Sequence, residues 1–123
     1  MLLPLTQAMG NKDILKDMKK KRGYLLEGHV LLSKSDPKVL EAYDSFYSRV
    51  MLNRSSLDQK TKELIVISIL SARGLFEPVS IHVKKAMEAG AKYKEIVEAL
   101  EIVGLYAGSP SMLYGLKALG PAD

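Results

Sequence analysis

His82, Glu63, Glu77 and the run Tyr106–Pro110 (YAGSP) are the residues of this 123-residue chain whose types and spacing could do chemistry. The chain has no cysteine, which excludes disulfides, thiolate zinc sites, iron–sulfur clusters, thiol nucleophiles and thiol redox cycles within it. Its two histidines, His29 and His82, have no carboxylates at ligand spacing beside them, so no metal is expected. Cofactor-free chemistry, or binding alone, remains.

His82 lies in the helical pattern Val79, Val83, Ala86, Met87. A step of about 100° per residue puts it about 80° from the centre of that apolar stripe. An imidazole at such a boundary can exchange a proton near neutral pH; a histidine packed at a helix interface shows the same spacing. Glu63 stands just before LIVISIL, where a carboxylate must face solvent, find a partner or interact with the helix dipole. Glu77 is a similar case: it precedes Pro78 and reads most simply as a cap of the fourth helix. In YAGSP one helix ends at Gly108 and another starts at Ser109-Pro110. Free N–H groups at a helix start seat a carboxylate or phosphate, and a glycine-assisted corner is the plainer reading.

The elements that must position these residues are helical throughout. Hydrophobic residues make up 47% and charged residues 26%, the balance of one ordinary folded domain. No apolar run approaches the roughly 18–20 residues of a membrane span. The apolar Met1–Leu5 stretch has no basic region before it and is interrupted by Pro4 and then Gly10, so a leader is not expected and the chain reads as cytoplasmic. The net charge of +4 arises in residues 1–34, chiefly at Lys16, Lys19, Lys20, Lys21 and Arg22. That run could grip phosphates, but it has no aromatic interleaving and no zinc-finger or helix-turn-helix signature. Nucleic acid is therefore not the expected partner.

The spacing predicts a first helix over about 12–33 with Asn11 as N-cap, weakened at Gly23 and Gly28. A second starts at Asp36-Pro37 and carries Val39, Tyr43, Phe46 and Val50 on its apolar face, flanked by Leu40, Tyr47 and Met51. A third starts at Ser56, with Gln59 completing a capping box, and is apolar almost all round over Leu64–Ala72. A fourth runs from Pro78 to Gly90. A fifth starts near Tyr93, with Ile96, Leu100, Val103 and Ala107 inward, and a last one starts at Ser109-Pro110. The result is an all-α domain of five to six helices. The surplus apolar surface of the third helix, and Ile81 on the polar side of the fourth, point to subunit contacts.

With these pieces in order, LDQKTKELIVISILSARG, HVKKAMEAGA, KEIVEAL and YAGSP, the sequence resembles the carboxymuconolactone decarboxylase and AhpD-like superfamily. DPKVLEAYDSF upstream fits it as well. The resemblance implies an all-helical fold assembled as a homo-oligomer, a trimer or a hexamer. In the AhpD-like branch a CxxC motif followed by histidine reduces peroxides, with a glutamate upstream. Leu75 and Pro78 stand at the two cysteine positions here, so no thiol peroxidase activity is expected, while Glu63 and His82 match the glutamate and histidine. The decarboxylase branch, matched at Tyr106, Ala107, Gly108 and Pro110, converts gamma-carboxymuconolactone to an enol-lactone without a cofactor. Its acidic cluster before the histidine is reduced here to Glu77, displaced by one position, with Pro78 at the acidic site.

The resemblance thus implies a cofactor-free lyase acting on a small carboxylated lactone or keto acid. His82 and Glu63 would be catalytic, and Glu77, Tyr106 and Ser109 would bind substrate. The alternative is a non-catalytic oligomeric binding or stress-related protein on the same scaffold.

Overall fold

The computed structural model describes the backbone of residues 5–122 and the side chains of residues 13–122. Residues 1–4, most of the segment weighed as a leader, lie outside the described residues. The described chain is all-helical, with seven α-helices and one π-helical turn, and it divides into two compact units at Arg54/Ser55.

The first unit holds α1 (Leu5–Arg22), α2 (Glu27–Ser35), α3 (Pro37–Tyr47) and a π-helical turn (Ser48–Leu52). The single long helix expected over 12–33 is two helices, because Gly23 adopts φ +83° and the chain turns there. Only glycine enters that left-handed region without strain. Helix α1 runs through residue 11, so Asn11 is not an N-cap. Asp36 does cap α3, its Oδ1 accepting the Val39 N–H at 3.2 Å, with Pro37 in the first turn.

The buried side of α3 differs from expectation. Leu40 is fully buried together with Met18, whereas Val39, Tyr43, Phe46 and Val50 are exposed, Phe46 by 68%. An amphipathic pattern identifies the apolar face but does not say whether the chain itself covers it. Arg22 decides the matter here. Its guanidinium is enclosed against the rings of Tyr47 and Tyr43, 3.8 and 5.1 Å from their centroids. Asp44 then receives Lys21 Nζ at 2.6 Å and Arg22 Nη2 at 3.4 Å. Two members of the basic run are therefore structural, while Lys16, Lys19 and Lys20 are exposed.

The second unit holds α4 (Gln59–Ala72), α5 (Val79–Glu88), α6 (Tyr93–Ala107) and α7 (Ser109–Leu119). The cap of α4 is Asp58 rather than Ser56: its Oδ1 accepts the Thr61 N–H at 2.7 Å. Hydrogen bonds from the Thr61 side chain and backbone hold the Asp58 carboxyl below its ordinary range. Gly74 (φ +74°) and Gly90 (φ +99°) end α4 and α5 as their positions predict. Pro78 is the residue before α5 rather than within it, and no side chain caps that helix. The Glu95 carboxylate accepts the Lys92 N–H at 2.8 Å and so closes the start of α6.

Helix α4 packs against α5, α6 and α7. Ile67, Val79, Val83, Ala86, Ile96 and Leu100 form the core between them. Its outer residues Ile65 and Ile69 are 43% and 51% exposed, so the surplus expected of this helix is real. Met87 and Ala107 are exposed rather than inward, and Ile81 is half-buried rather than outward.

One close approach lies where α7 crosses α4 and α6. A Cβ on Gly115 would stand 2.8 Å from Leu100 Cδ2 and 2.9 Å from Ser71 Oγ. Ser71 is fully buried and its hydroxyl has no hydrogen-bond partner. Overpacking of this kind typically costs about 1–3 kcal/mol. Gly115→Ala is expected to lower stability by that amount in chemical denaturation. Ser71→Ala, which removes an unpaired buried hydroxyl, should be neutral or stabilising; a large loss in Ser71→Ala would disprove this view of the crossing.

Candidate active site

Glu63 lies in the second turn of α4, beyond the reach of a first-turn dipole interaction, and His82 in the first turn of α5. Both helices turn these residues inward, to 3% and 8% exposure. The sequence pattern put His82 only at the edge of the apolar stripe, and the packing of α5 on α4 buries it further. His82 Nδ1 stands 2.8 Å from Glu63 Oε2. The other carboxylate oxygen, Oε1, is 3.8 Å from Lys85 Nζ.

A buried carboxylate is tolerable only when paired, because desolvation of an isolated charge costs several kcal/mol (order of magnitude). Lys85 places a positive charge near Glu63 Oε1, and a carboxylate in its ionised form only accepts hydrogen bonds. Against a carboxylate in that form the hydrogen of the contact sits on Nδ1 of His82, which leaves Nε2 as the nitrogen that can take up or release a proton. The Glu63–His82 pair has the arrangement by which a carboxylate fixes the tautomer and orientation of a proton-transferring imidazole.

Sequence reasoning missed Lys85. The signal was present, since His82 and Lys85 are three residues apart and share a face of one helix. Its side chain is 23% exposed, so it links the buried pair to the surface. Lys60, on the first turn of α4, is engaged elsewhere with Glu95 Oε2 at 3.0 Å.

The remaining expected site residues are not drawn into this pair. Glu77 is exposed; its backbone carbonyl accepts a 3.4 Å hydrogen bond from the Ser80 hydroxyl, and its carboxylate does not cap α5. Tyr106 is 85% exposed at the end of α6, and Ser109 is exposed at the start of α7. Gly108, at φ +110°, makes the break between those helices that YAGSP predicts. A cleft of about 480 Å³ lies elsewhere on this unit, lined by Val83, Lys84, Met87 and Leu119 among others, and contains none of the five residues. Among the described residues no group of three His, Asp or Glu side chains could hold a metal ion. No helix among them is long and apolar enough to cross a membrane.

This buried glutamate–histidine pair between two helices of an all-α unit sits inside a recognisable family pattern. The sequence profile of the Carboxymuconolactone decarboxylase family matches residues 37–120. The chain belongs to the carboxymuconolactone decarboxylase family. It is similar to a crystallised protein of Burkholderia xenovorans LB400, whose own assignment as a carboxymuconolactone decarboxylase is provisional. The two share 27% identity at a TM-score of 0.77, over 89% of this chain and 88% of that one. An uncharacterised protein of Methanocaldococcus jannaschii is 27% identical over 89 residues, which are 72% of this chain and 82% of the relative. An uncharacterised 15.0 kDa protein of Paracoccus denitrificans is 36% identical over 67 residues, 53% of this chain and 50% of the relative.

If Glu63 and His82 form one coupled unit, their substitutions will not be additive. The interaction energy from Glu63→Gln, His82→Gln and the double variant should lie between about 0.5 and about 3 kcal/mol in denaturant unfolding. Additivity within about 0.5 kcal/mol would show that the two side chains act independently.

Proposed function

We propose that this member of the carboxymuconolactone decarboxylase family is a cofactor-free lyase acting on a small carboxylated lactone or keto acid. The observation that carries the reading is the 2.8 Å contact between His82 Nδ1 and the buried Glu63 carboxylate. In such a reaction the bond between the substrate carbon and its carboxylate breaks and carbon dioxide leaves. The electron pair enters the conjugated system of the lactone or keto acid, and a proton must then be delivered to carbon. His82, protonated at Nε2, is the donor in this reading and returns to neutrality as it gives the proton up. Glu63 orients the ring and stabilises its imidazolium form, and the proton is replaced from solvent. A positioned acid of this kind contributes roughly 10²–10⁴-fold. Glu77, Tyr106 and Ser109 are assigned to substrate binding, with the amide groups at the start of α7 as a seat for a carboxylate.

Because these three residues are exposed in a single chain, the reading includes a homo-oligomer, a trimer or a hexamer, whose subunits complete the site. The exposed apolar residues Ile65 and Ile69 on α4, and Leu105 on α6, are the surface assigned to that assembly. The burial of Glu63 and His82 also favours a second reading, a non-catalytic oligomeric binding protein on the family scaffold.

Ultraviolet-monitored turnover of gamma-carboxymuconolactone by the purified protein separates the two. The lyase reading expects turnover, and a loss of roughly 10²-fold or more in His82→Ala with assembly preserved. Unchanged turnover in that variant would remove His82 from the mechanism. No turnover by the wild-type protein, on this or related carboxylated lactones and keto acids, would favour the binding protein. With no cysteine in the chain, organic peroxide should not be reduced with a dithiol donor beyond the rate of the donor alone.

A further inference from the structure

The other histidine takes no part in the candidate active site, yet it is equally buried. His29, in the first turn of α2, is 7% exposed. Its Nδ1 accepts the backbone N–H of Leu26 at 3.1 Å, closing the start of the helix as a side-chain oxygen would. An accepting ring nitrogen carries no hydrogen, so the ring is neutral with its hydrogen on Nε2.

The surroundings are fixed by the two neighbouring helices. From α3, the Tyr43 ring lies 6.1 Å from the imidazole, centroid to centroid. The opposite side of the cluster is Arg22 of α1, stacked on Tyr43 and Tyr47. Its carboxylate is Asp44 of α3, already held by both Lys21 and Arg22. Glu27, in the same turn of α2 as His29, is exposed.

We infer that His29 is a proton-operated latch of the N-terminal unit: protonation at Nδ1 breaks the Leu26 bond and loosens α1 and α2 from α3. Three effects act in the same direction. An imidazolium has no acceptor, so the Leu26 N–H loses its partner. The new charge sits at the positive end of the α2 dipole. It also adds a third cation to a cluster in which Asp44 already serves Lys21 and Arg22. Burial, and then Arg22, push the His29 imidazole below its ordinary value, with Asp44 opposing. The folded unit therefore prefers the neutral ring. Its contribution is complete above the ordinary histidine value of about 6.5 and is lost as pH falls from there toward the lower folded value.

Amide hydrogen exchange on the full chain by NMR, corrected for intrinsic rates, tests the latch. The ring nitrogens of His29 are titrated in the same samples. Wild-type protein at about pH 7.5 should show the Nε2–H tautomer, and protection in α2 and the end of α1 should fall by up to about tenfold by about pH 5.5. In His29→Gln, whose side-chain carbonyl can accept the Leu26 N–H without titrating, protection should stay flat across this window. An Nδ1–H tautomer in the wild type, a midpoint at or above the ordinary histidine value, or the same pH profile in both proteins would overturn the inference. The tautomer and midpoint decide it even if His29→Gln folds poorly.

Discussion

A carboxylate buried in α4 is the constraint on which the second unit depends. Glu63 cannot be left unpaired at 3% exposure, so α5 must lie where His82 and Lys85 reach its two oxygens. That pairing and the packing of the apolar face of α5 on α4 agree on one rotation of the helix. Gly74 and Gly90 supply the turns that let the chain enter and leave α5. The apolar residues Val79, Val83 and Ala86 then fill the space beside the pair with Ile67. The same placement that satisfies the carboxylate gives the imidazole a single hydrogen-bonded orientation, which is what proton transfer needs.

The first unit resolves a comparable problem with the opposite sign. Arg22 is enclosed between aromatic rings and faces Asp44, and this arrangement joins α1 to α3. Guanidinium suits such a place, since its flat faces stack on rings while its edges donate to a carboxylate. It also explains why the apolar face of α3 is not the side the chain buries. The rings of Tyr43 and Tyr47 are occupied by a cation, and Phe46 is left outward. His29 adds to the cluster a group whose charge depends on pH.

Family membership supplies the scaffold, and the residues at particular positions decide what the scaffold can do. The chain has no cysteine, while Glu63 and His82 stand in direct contact. That absence leaves no route to peroxide reduction through cysteine.

Much of this was legible in the sequence. The helical class, the Asp36 cap, the glycine stops and the Gly108 break follow from local rules, because each depends on residues within a few positions of one another. His82 is legible as an imidazole at the edge of an apolar stripe, and Glu63 gains weight beside it only from the family resemblance. The capping-box pattern of Ser56 with Gln59 points to Ser56, but Asp58 is as good a cap and is the residue whose Oδ1 accepts the Thr61 N–H. Local spacing left the division at Gly23 uncertain, since a glycine within a helical pattern can either bend or end it. What only the tertiary structure decided was contact between residues far apart in the chain. Glu63 and His82 are separated by 19 positions, and Arg22 and Asp44 by 22. Periodicity gives each helix a face but no partner or rotation. The meeting of a carboxylate with an imidazole, and the burial of Leu40 rather than Phe46, follow from how the helices pack.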